Sequence, residues 1–376
     1  MKSLLAISSI VVAACALSLF AQSEGAGGGR PAVSIIPLRQ FSFNKDLGGD
    51  IGRASIAFDQ DQVYLSTPDG VVLAGSSLAS DFHPVFETLN SDIGSMSVDD
   101  HVLYVLTGPD QAVSAEHAMW ESKDQGRSFI AIDDGLQTCL DSTCAYITAT
   151  QLYAKGGLLF SNAGGGFNLL VSRDEGVTWI PLSGELEPQS CYSSPFAVVG
   201  LTVLQGGECP LDRAFLSRGV LDPSMLFFAS NLTPVQMPDL TNRKIYAIAS
   251  EAGAPLALAG AEGALLRSAD EGRSWEPVIQ EPDGNDLYPY IQSLVFSSRH
   301  AGVALAAGFN KGKQMQPFLT LGTQNGSQWN DISSQLGHIE SGLVSDLAED
   351  PHGRLIAVVI DGTAKTVTIE EVHIQR

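Results

Sequence analysis

The sequence has few charged residues, and positive charge is especially scarce. Lys and Arg total 21 against 42 Asp and Glu, which gives a formal net charge of −21, and charged residues make up 17% of the chain. A negative field of this size repels nucleic acid and anionic membrane surfaces, so we expect neither as a partner. Hydrophobic residues reach 44%, which supports a large core and excludes a disordered chain.

The sequence also lacks the motifs of familiar catalytic, metal and cofactor sites. H-E-x-x-H, G-x-S-x-G, the P-loop and the dinucleotide fingerprint are all absent, and the seven histidines are scattered. Asp346, Glu349 and Asp350 form an acidic cluster in the sequence, for which a solvated turn is favoured over a calcium site. We therefore predict no cofactor and no metal.

Cysteine is rare, with five in the chain. Cys139 and Cys144 are close in sequence, as are Cys191 and Cys209, while Cys15 lies in the N-terminal segment. Four cysteines allow three pairings, and the two local pairs are the simplest. The C-x₂-C spacing of metal sites is absent. We predict two disulfides, Cys139–Cys144 and Cys191–Cys209, in an oxidising compartment.

The N-terminus has the layout of a secretory signal peptide. A positive start at Lys2 precedes the uncharged run 4–20, the small-residue segment 21–23 and the polar linker 24–32. Cleavage after residue 23 removes one lysine and no acid, so the mature chain, with a single folded domain expected over 33–376, is more negative still. A retained membrane anchor is the alternative, although 17 uncharged residues are short for a span.

Lipidation is a further alternative for the same segment. Val12-Ala13-Ala14-Cys15 resembles a bacterial lipobox, in which Cys15 would carry a lipid anchor. Residues 16–20 remain apolar after this cysteine, whereas a lipoprotein tether is usually polar. We predict a secreted or periplasmic protein without membrane insertion once the signal is removed, and the lipoprotein remains an alternative.

A repeated strand pattern predicts the architecture. The chain has no long apolar stripe of helical period, and instead contains short Val-, Ile-, Leu- and Tyr-rich runs separated by Gly, Asp, Asn and Pro. Two such runs joined by a polar turn recur roughly every 40 to 52 residues, the period of a propeller blade. The copies start at Ser55, Met96, Tyr146, Phe196, Ala247, Leu294 and Leu347.

A second motif, S-x-D-x-G-x-x-[W/F], follows some of these copies. We call its three occurrences, 122–129, 172–179 and 268–275, the S-x-D-x-G segments; a degenerate fourth spans 322–329. The aspartate can accept backbone N–H groups in a tight turn and the glycine can adopt a positive φ. The aromatic residue would begin an outer strand and pack between blades. The residues concerned are Asp124, Asp174, Asp270, Trp179, Trp275 and Trp329, and we interpret them as structural.

These segments resemble the Asp box (BNR repeat) of the sialidase-like propeller superfamily. The resemblance covers residues from about 50 to 375 and implies an all-β fold, a single propeller of seven four-stranded blades. It also implies that the S-x-D-x-G segments lie on the face opposite the active site. The ring would be closed by Val33–Pro37 or Arg39–Phe43 joining a blade made mostly from the C-terminus, which hides exposed strand edges.

Propellers bind ligands at one mouth of the central channel, where the loops entering each inner strand gather. Entry loops and the loops joining second and third strands supply polar and aromatic residues there. Of these, Arg53, Arg243, Tyr288 and Tyr290 are the candidate ligand-binding residues. A set of solvated loops is the simpler interpretation of the same residues.

Two enzymatic interpretations stand beside a binding role. Glycoside hydrolysis needs two carboxylates across the mouth, for which Asp50 and either Asp92 or Glu340 are candidates. A sialidase would need an arginine triad and an Arg-Ile-Pro motif; this motif is absent, and Arg53, Arg218 and Arg243 make only a nominal triad.

A resemblance to propeller assembly factors of photosynthetic membranes implies an arginine-rich patch, but no dense basic run occurs.

We expect a monomeric, exported, non-catalytic propeller that binds a protein or glycan at the channel mouth. A glycoside hydrolase of the Asp-box superfamily is the alternative.

Overall fold

The computed structural model is built almost entirely of antiparallel strands. It describes residues 32–44, 52–88, 93–107, 118–133, 151–162, 169–182, 192–209, 213–224, 228–240, 243–281, 288–312 and 314–375. Within these residues the strands form seven four-stranded sheets. The described part of the chain has no helix long and apolar enough to cross a membrane.

The first four blades follow one another along the chain, each from its inner to its outer strand. Blade 1 contains β2 (Ile56–Phe58), β3 (Val63–Ser66), β4 (Val71–Gly75) and β5 (His83–Glu87). Blade 2 contains β6 (Ile93–Asp99), β7 (Val102–Thr107), β8 (Met119–Ser122) and β9 (Ile130–Ala131). Blade 3 contains β10 (Leu152–Lys155), β11 (Leu158–Ser161), β12 (Leu170–Ser172) and β13 (Ile180–Pro181). Blade 4 contains β14 (Tyr192–Val199), β15 (Thr202–Cys209), β16 (Arg213–Leu221) and β17 (Phe228–Pro234).

The last three blades complete the ring. Blade 5 contains β18 (Ile245–Ser250), β19 (Ala257–Ala261), β20 (Ala264–Ser268) and β21 (Glu276–Gln280). Blade 6 contains β22 (Pro289–Phe296), β23 (Ala304–Asn310), β24 (Gln316–Thr323) and β25 (Gln328–Asp331), followed by the 3-10 turn Ser333–Leu336. Blade 7 contains β26 (Gly342–Glu349), β27 (Leu355–Asp361), β28 (Thr366–Gln375) and the N-terminal strand β1 (Ala32–Ser42).

The N-terminal strand closes the ring as the sequence predicts. β1 is the outermost strand of blade 7 and pairs with β28 from Ala32↔Gln375 to Ser42↔Thr366. Val33–Pro37 and all but the last residue of Arg39–Phe43 belong to this one strand, with a register shift between Pro37 and Arg39. The first and last segments of the propeller are thus joined by backbone hydrogen bonds, which protects an otherwise open edge.

The core lies between the blades. The described residues form seven apolar clusters, one at each junction of neighbouring blades. At the closing junction Ile56 and Leu65 of blade 1 pack with Val358, Ile360 and Val367 of blade 7. Burial of such side chains provides the main driving force for closing the ring.

The S-x-D-x-G segments form three turns with the same hydrogen bonds. In the turn of blade 5, Ser268 Oγ donates to Asp270 Oδ1 at 2.8 Å, and the Ser274 amide and hydroxyl donate to the two carboxylate oxygens at 2.9 and 2.7 Å. Gly272 has φ +79°, and a Cβ there would lie 2.3 Å from Leu204 of the preceding blade. The aspartate and glycine therefore shape a turn that packs blade against blade.

One inner strand differs from the sequence prediction. The strand of blade 3 expected at Tyr146–Thr148 lies instead at Leu152–Lys155, and residues 146–148 fall outside the described residues. The tight turn at Gly156 and Gly157, both with positive φ, joins this strand directly to β11. A two-residue Gly-Gly hairpin turn fixes that register.

Candidate functional site at the channel mouth

The inner strands share an irregularity that shapes the channel. Five of them have a register shift against their second strand. In each case a residue within the shift borders the central cavity: Gly94, Pro195, Tyr246, Gln292 and Ser345. A β-bulge inserts an extra residue and redirects its side chain, and here it places one residue of each strand in the channel wall. The cavity has a volume of about 300 Å³.

Hydrogen bonds between neighbouring inner strands hold the channel wall together. The Gln151 amide spans from blade 3 to the backbone of Phe196 in blade 4, with bonds of 3.1 and 2.9 Å. Ser293 Oγ accepts from the Leu347 amide at 2.9 Å, joining blades 6 and 7. These side chains replace the backbone hydrogen bonds that separate sheets do not make with one another.

Asp346 connects three blades at the channel wall. Its carboxylate accepts the Ile56 amide of blade 1 at 3.0 Å, the Leu347 amide at 2.9 Å and Ser293 Oγ at 3.2 Å. Burial raises the pKa of Asp346 to about 6 despite these donors. The acidic cluster expected from the sequence is not formed. Glu349 instead accepts the Ser298 amide at 2.6 Å, and Asp350 binds Arg354 in the β26–β27 turn.

An aromatic ladder lies at the entry end of blades 5 and 6. Tyr290 is paired with Phe309 across β22 and β23, and their rings stack 4.7 Å apart at 6°. Tyr288 precedes Tyr290 by two residues and stacks on it at 5.4 Å and 21°. The ring of Tyr246 lies 5.9 Å from that of Tyr290. Residues two apart on a strand share one side, which explains this row.

Charged groups surround the ladder. Lys311 Nζ donates to Tyr290 Oη at 3.2 Å and lies 5.6 Å from the centre of that ring, while Lys244 Nζ lies 5.4 Å from the centre of the Tyr246 ring. Tyr246 Oη donates to Glu262 Oε1 at 2.6 Å. Burial, together with hydrogen bonding, raises the pKa values of Tyr246 and Tyr290 above the ordinary range of tyrosine, so both phenols stay protonated.

Arg243 is buried and holds the turn that packs against the ladder. Only 9% of the residue is exposed, and its guanidinium donates to the carbonyls of Glu262, Gly263 and Glu281 at 3.3, 3.1 and 2.7 Å. Gly263 lies against the Tyr288 ring. Arg243 thus holds the β19–β20 turn against the ladder.

The other predicted site residues lie in different places. Arg53 is exposed and borders the channel cavity. Glu340 is exposed in the connection before β26. Arg218 donates to the Glu271 carbonyl at 2.8 Å, in the S-x-D-x-G turn of blade 5. It therefore lies at the end of the propeller opposite to Arg243. Asp50 and Asp92 lie outside the described residues, and within those residues no group of three or more His, Cys, Asp or Glu is placed to hold a metal.

Sequence reasoning found Tyr288 and Tyr290 but missed Tyr246, Phe309 and Asp346 as wall or ladder residues. The bulges interrupt strand alternation just where Tyr246 and the residue before Asp346 occur. No local sequence signal marks such a shift. Cys209 ends β15, whereas Cys139, Cys144 and Cys191 lie outside the described residues, so both disulfides stay predictions.

Comparison with known proteins supports the fold. No family model and no curated protein matches the chain. YCF48 from Cyanidioschyzon merolae aligns over 91% of this chain and 98% of its own, with a TM-score of 0.60 and 14% identity. The GH74 xyloglucanase from Xanthomonas campestris aligns over 84% of this chain and 51% of its own, with a TM-score of 0.54 and 17% identity.

A third solved structure, the extracellular domain of a putative one-component system from B. thetaiotaomicron, aligns over 87% of this chain and 39% of its own, with a TM-score of 0.54 and 13% identity. Identities this low carry the fold alone. The chain is therefore a seven-bladed β-propeller that shares its fold with a xyloglucanase, with YCF48 and with an extracellular domain.

Proposed function

We propose that the chain is an exported, non-catalytic propeller of the Asp-box superfamily that binds a protein or glycan at the mouth of its channel. The observation that carries this proposal is the ladder of Tyr288, Tyr290 and Phe309, flanked by Lys244 and Lys311. Export follows from the signal peptide expected over residues 1–23.

The ladder has the chemistry of a recognition surface. Tyrosine offers a large contact area with few rotatable bonds and ends in a hydroxyl, which is why it is enriched in binding sites. Tyr288 and Tyr290 are half-buried and Lys311 is exposed. The Arg243 bonds to three carbonyls fix the turn behind the rings, so little ordering entropy is lost on binding.

The chemistry of the mouth argues against catalysis. A nucleophilic tyrosine needs a lowered pKa or an adjacent base free to take its proton, whereas the pKa values of Tyr246 and Tyr290 are raised. Asp346 is the one carboxylate among the described residues that border the cavity, and three donors hold it to the wall. Hydrolysis of a glycosidic bond usually uses two carboxylates.

Solved propeller structures support both the binding proposal and the hydrolase alternative. A structure named YCF48 bound to D1 peptide aligns over 90% of this chain with a TM-score of 0.58, so a propeller of this fold can hold a peptide. The likeness to the GH74 xyloglucanase supports the alternative, a glycoside hydrolase in which Asp50 and Asp92, or Glu340, supply the carboxylates.

The test combines binding and turnover on the mature protein, starting at residue 24. Reducing-end release and binding would be measured on one panel of plant, microbial and sialylated glycans, and protein partners would be captured from the exported fraction of the source cells and identified. We expect no release, together with saturable binding that falls about tenfold in Tyr288→Ala and Lys311→Gln.

Matched controls distinguish a mouth effect from a general one. Lys155→Gln changes an exposed lysine at the β10–β11 turn, on the opposite end of the propeller, and binding should be retained. Glycan release that disappears in Asp50→Asn or Asp92→Asn would overturn the non-catalytic proposal. Equal binding by Tyr288→Ala and wild type would show that the ladder is not part of the binding site.

A further inference from the structure

The channel cavity below the ladder has a composition of its own. It is enclosed by residues from all seven inner strands or the loops that enter them, and its volume is about 300 Å³. Met96, Ile248, Leu294 and Leu347 supply long apolar side chains to its lining, and on its inner strand each lies beyond the residue that enters the channel wall. The cavity is at the small end of the range for ligand pockets, too small for an oligosaccharide or a folded partner.

Two opposite charges border this cavity without pairing with each other. The Arg53 guanidinium makes no hydrogen bond or ion pair within the described residues. Asp346 accepts three uncharged donors and likewise has no cationic partner in that part of the chain. The two residues lie on adjoining blades, since the amide next to Arg53, that of Ala54, donates to Ser345 Oγ at 2.9 Å.

A neutral polar group lies on the other side of Asp346. Gln292 of blade 6 borders the cavity, and its amide forms no hydrogen bond to any described residue. An amide both donates and accepts, so it can bind a carboxylate or an ammonium. Around blade 7 the cavity therefore offers a guanidinium, a carboxylate and an amide, together with the apolar side chains named above.

We propose that this cavity binds a free α-amino acid with an aliphatic side chain. The ligand carboxylate would pair with Arg53, whose planar fork suits it. The ammonium would lie between Asp346 and Gln292, and the side chain would pack on Met96, Leu294 and the neighbouring apolar residues.

Charge matching favours a zwitterion over either simple ion. A simple carboxylic acid would pair with Arg53 but would bring a second negative charge towards Asp346. A simple amine would pair with Asp346 but would bring a second positive charge towards Arg53. Uncompensated charge in a partly buried site is costly. Burial raises the pKa of Asp346, and a ligand ammonium beside it would favour its ionised form. This site differs from the mouth proposal, and each can fail without the other.

The experiment separates the two charges of the ligand. Isothermal titration calorimetry and thermal shift would compare L-leucine with 3-methylbutylamine, which lacks its carboxylate, and with 4-methylpentanoic acid, which lacks its ammonium. We expect leucine to bind and raise the melting temperature, and each analogue to bind at least about tenfold more weakly. Equal binding of the acid or the amine would overturn the zwitterion, as would no binding of any aliphatic amino acid up to about 10 mM.

Variants locate the site. Arg53→Gln should weaken leucine binding about tenfold and leave binding of 3-methylbutylamine unchanged. Arg299→Gln is the matched control, because Arg299 is exposed and makes no hydrogen bond or ion pair in the described chain. Asp346→Asn can destabilise the ring, so Gln292→Ala provides the second test of the ammonium side. A loss in Arg299→Gln equal to that in Arg53→Gln would overturn the assignment.

Discussion

Tyr246 and Glu262 form a hydrogen bond of 2.6 Å, in which the phenol donates to Glu262 Oε1. The bond joins the bulge of β18 to the β19–β20 turn of the same blade. Glu262 also forms an isolated bridge with Tyr290 of blade 6. The pair thus connects the channel wall, the turn and the aromatic ladder.

Removing either partner of this bond should destabilise the propeller. Tyr246→Phe leaves a partly buried carboxylate with one donor fewer, and a hydrogen bond to a charged group contributes about 1.5–3 kcal/mol. We expect a loss of about 1–2 kcal/mol in urea unfolding, with much less additional loss when Glu262→Gln is combined with it. Tyr153→Phe is the control. Strictly additive losses would mean that the two side chains do not interact.

Arg243 should be sensitive even to a conservative change. Arg243→Lys keeps the charge but cannot reach the three carbonyls of Glu262, Gly263 and Glu281 together. The Gly263 carbonyl keeps the Glu281 amide as a donor, but the part-buried Glu262 and Glu281 carbonyls each lose one. Because a carbonyl left without a donor costs about 1–3 kcal/mol, unfolding should show a loss of about 2–4 kcal/mol. Binding at the mouth should weaken as well.

The control for Arg243 is Arg273→Lys. The Arg273 side chain is 58% exposed and lies beside Glu271, so its replacement should change stability by less than about 0.5 kcal/mol. Equal stability of Arg243→Lys and wild type would show that the guanidinium does not hold the turn.

The turn aspartates should matter for acid stability and not for binding. The Ser128 hydroxyl first, and then the Ser128 amide, lower the pKa of Asp124 to about 2. A lowered pKa stabilises the fold above the ordinary value, and that contribution is lost as pH falls from about 4 to 2. Asp124→Asn should lower the melting temperature near neutral pH and show a shallower decline in acid. Changed ligand affinity at the mouth would contradict the structural role.

The sequence predicts the fold well because its strongest signals are local and repeated. The paired apolar runs recur in all seven blades, the S-x-D-x-G segments recur in blades 2, 3 and 5, and β1 completes blade 7 as expected. The site is harder to predict, since Tyr246 and Gln292 reach the channel through bulges that shift the register. Arg243 shows the reverse error: a basic residue in an entry loop looks available in sequence, yet it is buried under the Glu262–Gly263 turn.

The disulfide expected between Cys191 and Cys209 can be tested against strand register. β14 and β15 pair Tyr192 with Glu208, and Cys209 is the next residue of β15. Cys191 immediately precedes β14 in the sequence, and cysteines directly opposite each other on antiparallel strands are within disulfide reach. Peptide mapping without reduction should recover this pair, and Cys191→Ser should cost about 3 kcal/mol. A peptide joining Cys209 to Cys139 or Cys144 would contradict it.

Glu370 should make the propeller less stable as pH rises. It is 7% exposed, and it pairs across β27–β28 with Ala357, a member of the apolar cluster between blades 6 and 7. It has no hydrogen bond to any described residue, and burial raises its pKa to about 7. The folded state therefore holds this proton more tightly than the unfolded chain, so its contribution is full below about pH 4.5 and lost as pH rises through 7.

Glu370→Gln removes this titration with little change in shape. At pH 5 the variant and wild type should melt within about 1 °C of each other, whereas at pH 8 the variant should melt roughly 1–3 °C higher. Glu87→Gln, at an exposed position of β5, should shift neither value. Some decline with pH should persist in Glu370→Gln, because the pKa of Asp346 is also raised, to about 6. A variant that is destabilised equally at both pH values would contradict this. It would show instead that Glu370 is ionised in the folded protein at both pH values and stabilises it through its charge.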